Sequence, residues 1–132
     1  MTSHREIFIA KGAPAAVGPY SHAVRCGDVL FCSGQIPLDP NTSSFATGGV
    51  GAETRQCLDN LAAVCASAGT ELRNAVRLTV YATNLADDWQ SINEAYGSYF
   101  EGGDAPARVA IGVAALPMGA RVEIDAVVAI GR

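Results

Sequence analysis

Two charged residues sit where apolar strands would be expected. Arg108 opens the segment Arg108-Val109-Ala110-Ile111 directly after Pro106-Ala107, and Glu123 lies inside Val122-Glu123-Ile124-Asp125-Ala126. A guanidinium in such a place either caps a neighbouring carboxylate or grips a planar anion with two parallel N–H bonds. A mid-strand carboxylate needs a partner. It can hold a water as base or orienter, or it can form an ion pair, and Arg108–Glu123 is one such pairing. Asp125, two residues on, shares the face of Glu123 and competes for either role. Tyr20, fixed in Pro19-Tyr20-Ser21, can lay a ring over a small substrate and offer a hydroxyl. Ser33-Gly34 sets a hydroxyl beside an unobstructed amide, a seat for a carboxylate oxygen, although most such pairs are only turns. Asn93 falls off the apolar centre of a helix and reads on pattern as solvated.

Other chemistries find no residues. The histidines are His4 and His22, and neither accompanies a strand–Ser–helix elbow. No metalloprotease motif, phosphate-binding loop or dinucleotide fingerprint is present. Cys26, Cys32, Cys57 and Cys65 match no zinc or redox spacing. Catalysis would have to run on Arg, Glu, Tyr, Ser and backbone groups, with neither metal nor cofactor.

These residues need a scaffold. The 132 residues and 13.6 kDa are expected to form one domain over 1–132. Hydrophobic residues make up 49% and charged ones only 17%, little for the surface of a lone small protein, so part of the surface is expected to lie in a subunit interface. Nine Lys+Arg against thirteen Asp+Glu, with Lys11 the sole lysine, argue against a nucleic-acid partner. No apolar run is long enough to span a membrane, and no signal-peptide core follows the start. Four reduced, mostly buried thiols fit a cytoplasmic location.

Hydrophobic periodicity gives β-β-β, helix, β, helix, β-β. Strands are expected at Ile7–Ile9, Ser21–Arg25 and Val29–Ser33, with Gly27-Asp28 as a hairpin turn. A helix over Ala52–Ala68 carries Leu58, Leu61 and Cys65 inward and Glu53, Arg55, Gln56 and Asp59 outward, stopped by Gly69. Ala75–Thr83 alternates, with Val76, Leu78, Val80 and Ala82 on one face. A second helix over Asp88–Phe100, capped by Asp87 or Asp88, buries Trp89, Ile92, Tyr96, Tyr99 and Phe100. Strands over Arg108–Val113 and Arg121–Ile130 complete an α+β fold. Its two helices cover one face of a mixed sheet, and the other face calls for a second copy of the chain.

Four stretches also resemble a known family. Ala13-Pro14-Ala15-Ala16-Val17-Gly18-Pro19-Tyr20-Ser21-His22-Ala23-Val24, Phe31-Cys32-Ser33-Gly34-Gln35-Ile36-Pro37-Leu38-Asp39-Pro40, Ala105-Pro106-Ala107-Arg108 and Leu116-Pro117-Met118-Gly119-Ala120-Arg121-Val122-Glu123-Ile124-Asp125-Ala126 are similar, in order, to the motifs of the RidA/YjgF/YER057c/UK114 family. The resemblance implies a chorismate-mutase-like fold, a homotrimer with clefts between subunits, and hydrolysis of enamine/imine intermediates such as 2-aminoacrylate to a 2-keto acid and ammonia. It implies that Arg108 grips the substrate carboxylate, that Glu123 is linked to water, and that Tyr20, Ser33, Gly34 and Asn93 line the cleft. Many deaminase members carry Cys where this chain has Ala110. A role for the backbone carbonyl there survives the change and a role for a thiol does not. Other readings stay open: a trimer that binds small carboxylates or regulates a partner, a purely structural trimer, and an endoribonuclease, which the acidic balance disfavours.

Overall fold

A computed structural model describes residues 4–131. Its strands are β1 (Arg5–Phe8), β2 (Ala23–Cys26), β3 (Val29–Gln35), β4 (Ala75–Ala82), β5 (Ala107–Gly112) and β6 (Val122–Ala129). The helices are α1 (Val50–Ser67) and α2 (Leu85–Tyr99). The strands form one mixed sheet in the order β1-β2-β3-β6-β4-β5. Every pairing is antiparallel except β4 with β5, which α2 connects as a crossover. The expected α+β architecture, with both helices on one face, is therefore what the chain adopts.

Local chemistry explains the joints. Gly27, at φ +62, takes the first turn position of the β2–β3 hairpin, a conformation that favours glycine. At the end of α1, the N–H groups of Gly69 and Thr70 donate to the carbonyls of Ala66 and Cys65, with Gly69 at φ +79. That is a Schellman stop at the glycine the sequence pointed to. The α1 start is Val50, two residues earlier than the pattern suggested. The α2 start is Leu85, with Asn84 at the N-cap, so Asp87 and Asp88 lie in the first turn rather than at the cap. There they still complement the positive end of the helix dipole.

The core lies between the helices and the inward face of the sheet. Val122, Ile124 and Val128 alternate into it from β6, Leu78 and Val80 from β4, and Leu30 and Cys32 from β3. They meet Leu58, Leu61, Val64 and Cys65 of α1 and Ile92 of α2. The Cys32 and Cys65 thiols hydrogen-bond within it, which raises the Cys32 pKa and lowers that of Cys65. Of the four thiols only Cys26 is exposed.

Three inward or outward assignments change. Val76 is exposed because a bulge falls between Ala75 and Arg77, which breaks the alternation of β4. Glu53 is buried rather than solvated, paired through both carboxylate oxygens with Arg121 just before β6. Trp89 is 40% exposed and is not part of the buried stripe of α2. On the helix-free face Phe31, Val109 and Ile111 are exposed, each between 41% and 51%.

Candidate active site

A bulge builds the first half of the site. Cys32 pairs with Ala126 and Gln35 with Ile124, so Ser33 and Gly34 together oppose the single residue Asp125. An extra residue of this kind bends the strand and re-aims its side chains. The Ser33 hydroxyl donates to the Ser21 carbonyl at 2.6 Å, and the Ser33 amide donates to the His22 carbonyl at 2.9 Å. Gly34 matters for a different reason. An added Cβ would run into the Glu123 carboxyl group, with Cδ only 2.9 Å away.

Two buried polar side chains hold the surrounding loops. His22 accepts from the Ala10 amide at 2.8 Å through Nδ1, and its Nε2 lies 2.9 Å from the Pro14 carbonyl, which fixes the segment leading to Tyr20. Asn60 of α1 donates to the carbonyls of Ile36 and Leu38, clamping the chain as it leaves β3. Sequence reasoning missed both, although for Asn60 the signal was there: it falls at helical spacing between Cys57 and Val64, where a polar side chain needs a partner.

The result is an open cleft of about 290 Å³ lined by Val17, Tyr20, Ser33, Gly34, Pro117 and Glu123. Beside it lies a recess of about 20 Å³, also bordered by Tyr20, Gly34 and Glu123. That volume admits about one water. Among the described residues no side chain or amide hydrogen-bonds the Glu123 carboxylate. Burial, and then the neighbouring Asp125 charge, raise its pKa from the ordinary glutamate value. Tyr81 is its register partner on β4, yet the phenol reaches diagonally and donates to Asp125 Oδ2 at 3.0 Å. Glu123 is left with its lone pairs open to the recess.

The second half of the site is elsewhere. Arg108 pairs in register with Leu78 and so shares the inward face of the sheet. Its Nη1 donates to Asn93 Oδ1 at 2.8 Å, and its Cζ lies 5.1 Å from the Trp89 ring centroid and 4.8 Å from that of Tyr96. Among the described residues it meets no carboxylate, so the Arg108–Glu123 ion pair that the sequence left open is not formed within the chain. Glu123 faces the opposite side of the sheet, with Tyr81 and Asp125. Asn93, read on pattern as solvated, is exposed but engaged by the guanidinium. Ala110 follows Arg108 on the same face of β5, its methyl against the core. The candidate residues thus fall into two groups of opposite charge: Arg108, Asn93 and Ala110 on the helix side, and Tyr20, Ser33, Gly34 and Glu123 on the bare side.

The six-stranded α+β sheet carries an arginine near one edge and a glutamate beside a bulge, neither ion-paired among the described residues, and comparison with known proteins gives the family. The family model described as Endoribonuclease L-PSP matches residues 10–130. The chain is 43% identical over 123 residues to the mouse protein named 2-iminobutanoate/2-iminopropanoate deaminase, covering 93% of this chain and 90% of that one. It is 47% identical over 125 residues to Protein DfrA of Myxococcus xanthus, covering 93% and 94%. The crystal structure of E. coli TdcF with bound serine superposes with a TM-score of 0.90 at 34% identity, covering 96% and 99%. The chain belongs to the RidA/YjgF family, as its motifs implied.

Proposed function

We propose that this protein hydrolyses small 2-imino acids, and their enamine tautomers such as 2-aminoacrylate, to 2-keto acids and ammonia. The observation that carries the reading is the Glu123 carboxylate, free of hydrogen bonds among the described residues and bordering a recess of one-water size. A cleft that merely retained a carboxylate would have no use for a raised-pKa base beside it. The family relationship to a protein named as an imine deaminase supports the same chemistry.

The two half-sites lie on opposite faces of the sheet, so a complete cleft joins Arg108, Asn93 and Ala110 of one copy to Tyr20, Ser33, Gly34 and Glu123 of another. The bare apolar face of the sheet supports a homotrimer as the assembly that brings them together. In that cleft the Arg108 fork takes the substrate carboxylate. The Gly34 amide and Tyr20 border the reacting end. The Ser33 hydroxyl donates its hydrogen bond to the Ser21 carbonyl, so toward the substrate it serves as an acceptor. The enamine tautomerises to the imine. Glu123 takes a proton from water as its oxygen bonds to C2 and returns it to the imine nitrogen, giving the carbinolamine. The hydroxyl proton then passes through Glu123 to the amino group as the C2–O double bond forms and the C2–N bond breaks, and nitrogen leaves as ammonia. The Ala110 carbonyl, on the edge strand β5, is the second acceptor for the water. No metal or covalent nucleophile is needed, because the reaction asks only for orientation and electrostatic support.

The test is release of ammonia and keto acid from 2-aminoacrylate generated in situ, measured against the spontaneous rate. Arg108→Lys, which keeps the charge and loses the planar fork, should slow turnover strongly. Glu123→Gln should slow turnover while keto-acid binding persists. Wild-type protein that adds nothing to the spontaneous rate, yet binds keto acids, would replace the enzyme with a carboxylate-binding protein. The endoribonuclease reading finds less support. The net charge is −4, and both ring nitrogens of His22 are engaged by the backbone.

A further inference from the structure

Trp89, Asn93 and Tyr96 are spaced four and three residues apart, so they form one stripe along α2. All three converge on the Arg108 guanidinium, Asn93 by a hydrogen bond and the two rings by their faces. We propose that Trp89 is a positioning residue, which with Tyr96 clamps the Arg108 guanidinium in the orientation that receives the substrate carboxylate.

Arg108 stands on an edge strand, and a free arginine there would spread over many rotamers. Ring faces hold a cation through their quadrupole, without a hydrogen-bond acceptor taking an N–H. Of the five guanidinium donors Asn93 uses one, and the others stay available for a two-bond contact with a carboxylate. A carboxylate from the protein in the same place would fix the arginine equally well but would occupy the fork. The clamp fixes it and leaves it empty-handed. This also accounts for a large ring left 40% exposed on an otherwise ordinary helix. Tyr96, by contrast, is 5% exposed and belongs to the core, so its replacement would disturb packing as well as the clamp. Trp89 is the residue on which the two effects separate.

The inference rests on the reading of Arg108 as the carboxylate grip, and the experiment distinguishes the two. Trp89 is the only tryptophan in the chain, so its emission reports directly on the guanidinium beside it. The probe is 2-oxobutanoate, titrated by fluorescence into wild-type protein and by calorimetry into wild type, Trp89→Leu and Trp89→Phe. Turnover of in-situ 2-iminobutanoate is measured alongside. Wild-type emission should change saturably, with the calorimetric midpoint. Trp89→Leu should bind roughly fivefold more weakly. Its KM should rise with kcat kept, because the carboxylate grip acts alike on ground and transition states. Trp89→Phe, which restores a ring face, should recover most of the affinity. A purely structural Trp89 would shift the melting midpoint but not this KM-against-kcat split. Equal 2-oxobutanoate affinity in Trp89→Leu and wild type would overturn the clamp and leave the grip standing. Absence of 2-oxobutanoate binding to wild type would remove grip and clamp together.

Discussion

Replacing Gly34 by alanine adds one methyl group at the tightest point of the cleft. The new carbon would stand 2.9 Å from Glu123 Cδ and 3.1 Å from Cγ, with Oε2 nearer still, where ordinary contact begins at 3.4 Å. The obstacle is the far end of a flexible side chain, so the carboxyl group gives way, by on the order of 1 Å. Misplacing a reacting group by that much costs about 10²-fold in rate. Stability should hardly notice. Gly34 does not need positive φ, so alanine gains ~0.4–1 kcal/mol from a stiffer unfolded chain. Driving Glu123 off its rotamer costs ~0.5–1.5 kcal/mol, which leaves a net change within about 1 kcal/mol. Turnover of in-situ 2-aminoacrylate should therefore fall about a hundredfold while the melting midpoint moves only a few degrees. Wild-type turnover in a folded Gly34→Ala protein would refute the placement of Glu123 as the water-activating group. A midpoint lowered by more than about 10 °C would show that the backbone moved instead of the carboxylate.

Three further outcomes follow from the same geometry. Glu123 must be ionised to take a proton, and burial and Asp125 hold its pKa up, so the acid limb of the kcat/KM profile should lie at higher pH than a free glutamate would give. Asp125→Asn removes the like charge and should shift that limb to lower pH, though burial keeps it from returning fully; a limb that stays put would discount the Asp125 field. Glu53→Gln weakens the pairing with Arg121 and should lower stability by about 1 kcal/mol in urea at unchanged m-value. Sedimentation should give three times the 13.6 kDa chain mass, and a stable monomer would leave the half-sites apart.

Much of this architecture was legible because its signals are local. The two-residue alternation of Val122, Ile124, Ala126 and Val128 appears unchanged as the inward face of β6. The stripe of Leu58, Leu61 and Cys65 and the stop at Gly69 are likewise read off the chain. The errors came where a distant partner decided the outcome. A helical pattern places Glu53 in water because it knows nothing of Arg121, which arrives from the far end of the chain. The same pattern counts Trp89 as core, since it cannot see that the available neighbour is a cation. Val76 was misplaced by one extra residue in β4, and period-two reasoning has no way to detect a bulge from apolar residues alone. The motif resemblance named the site residues as a set of candidates without saying how they face one another. Only the register of β4 against β5 and β6 shows that Arg108 and Glu123 look away from each other.

In the proposed trimer, that back-to-back placement would make each cleft a joint possession of two chains, with a genetic consequence. A subunit carrying Arg108→Lys still offers an intact glutamate half, and one carrying Glu123→Gln still offers an intact arginine half. Either variant alone fills every cleft with one damaged half. Reassembled together in equal amounts, the two would populate about a quarter of the clefts with both native halves by random association in a closed ring. Two inactive alleles would then complement each other within one oligomer, and a single defective allele would impair clefts in which its partner subunit is entirely sound.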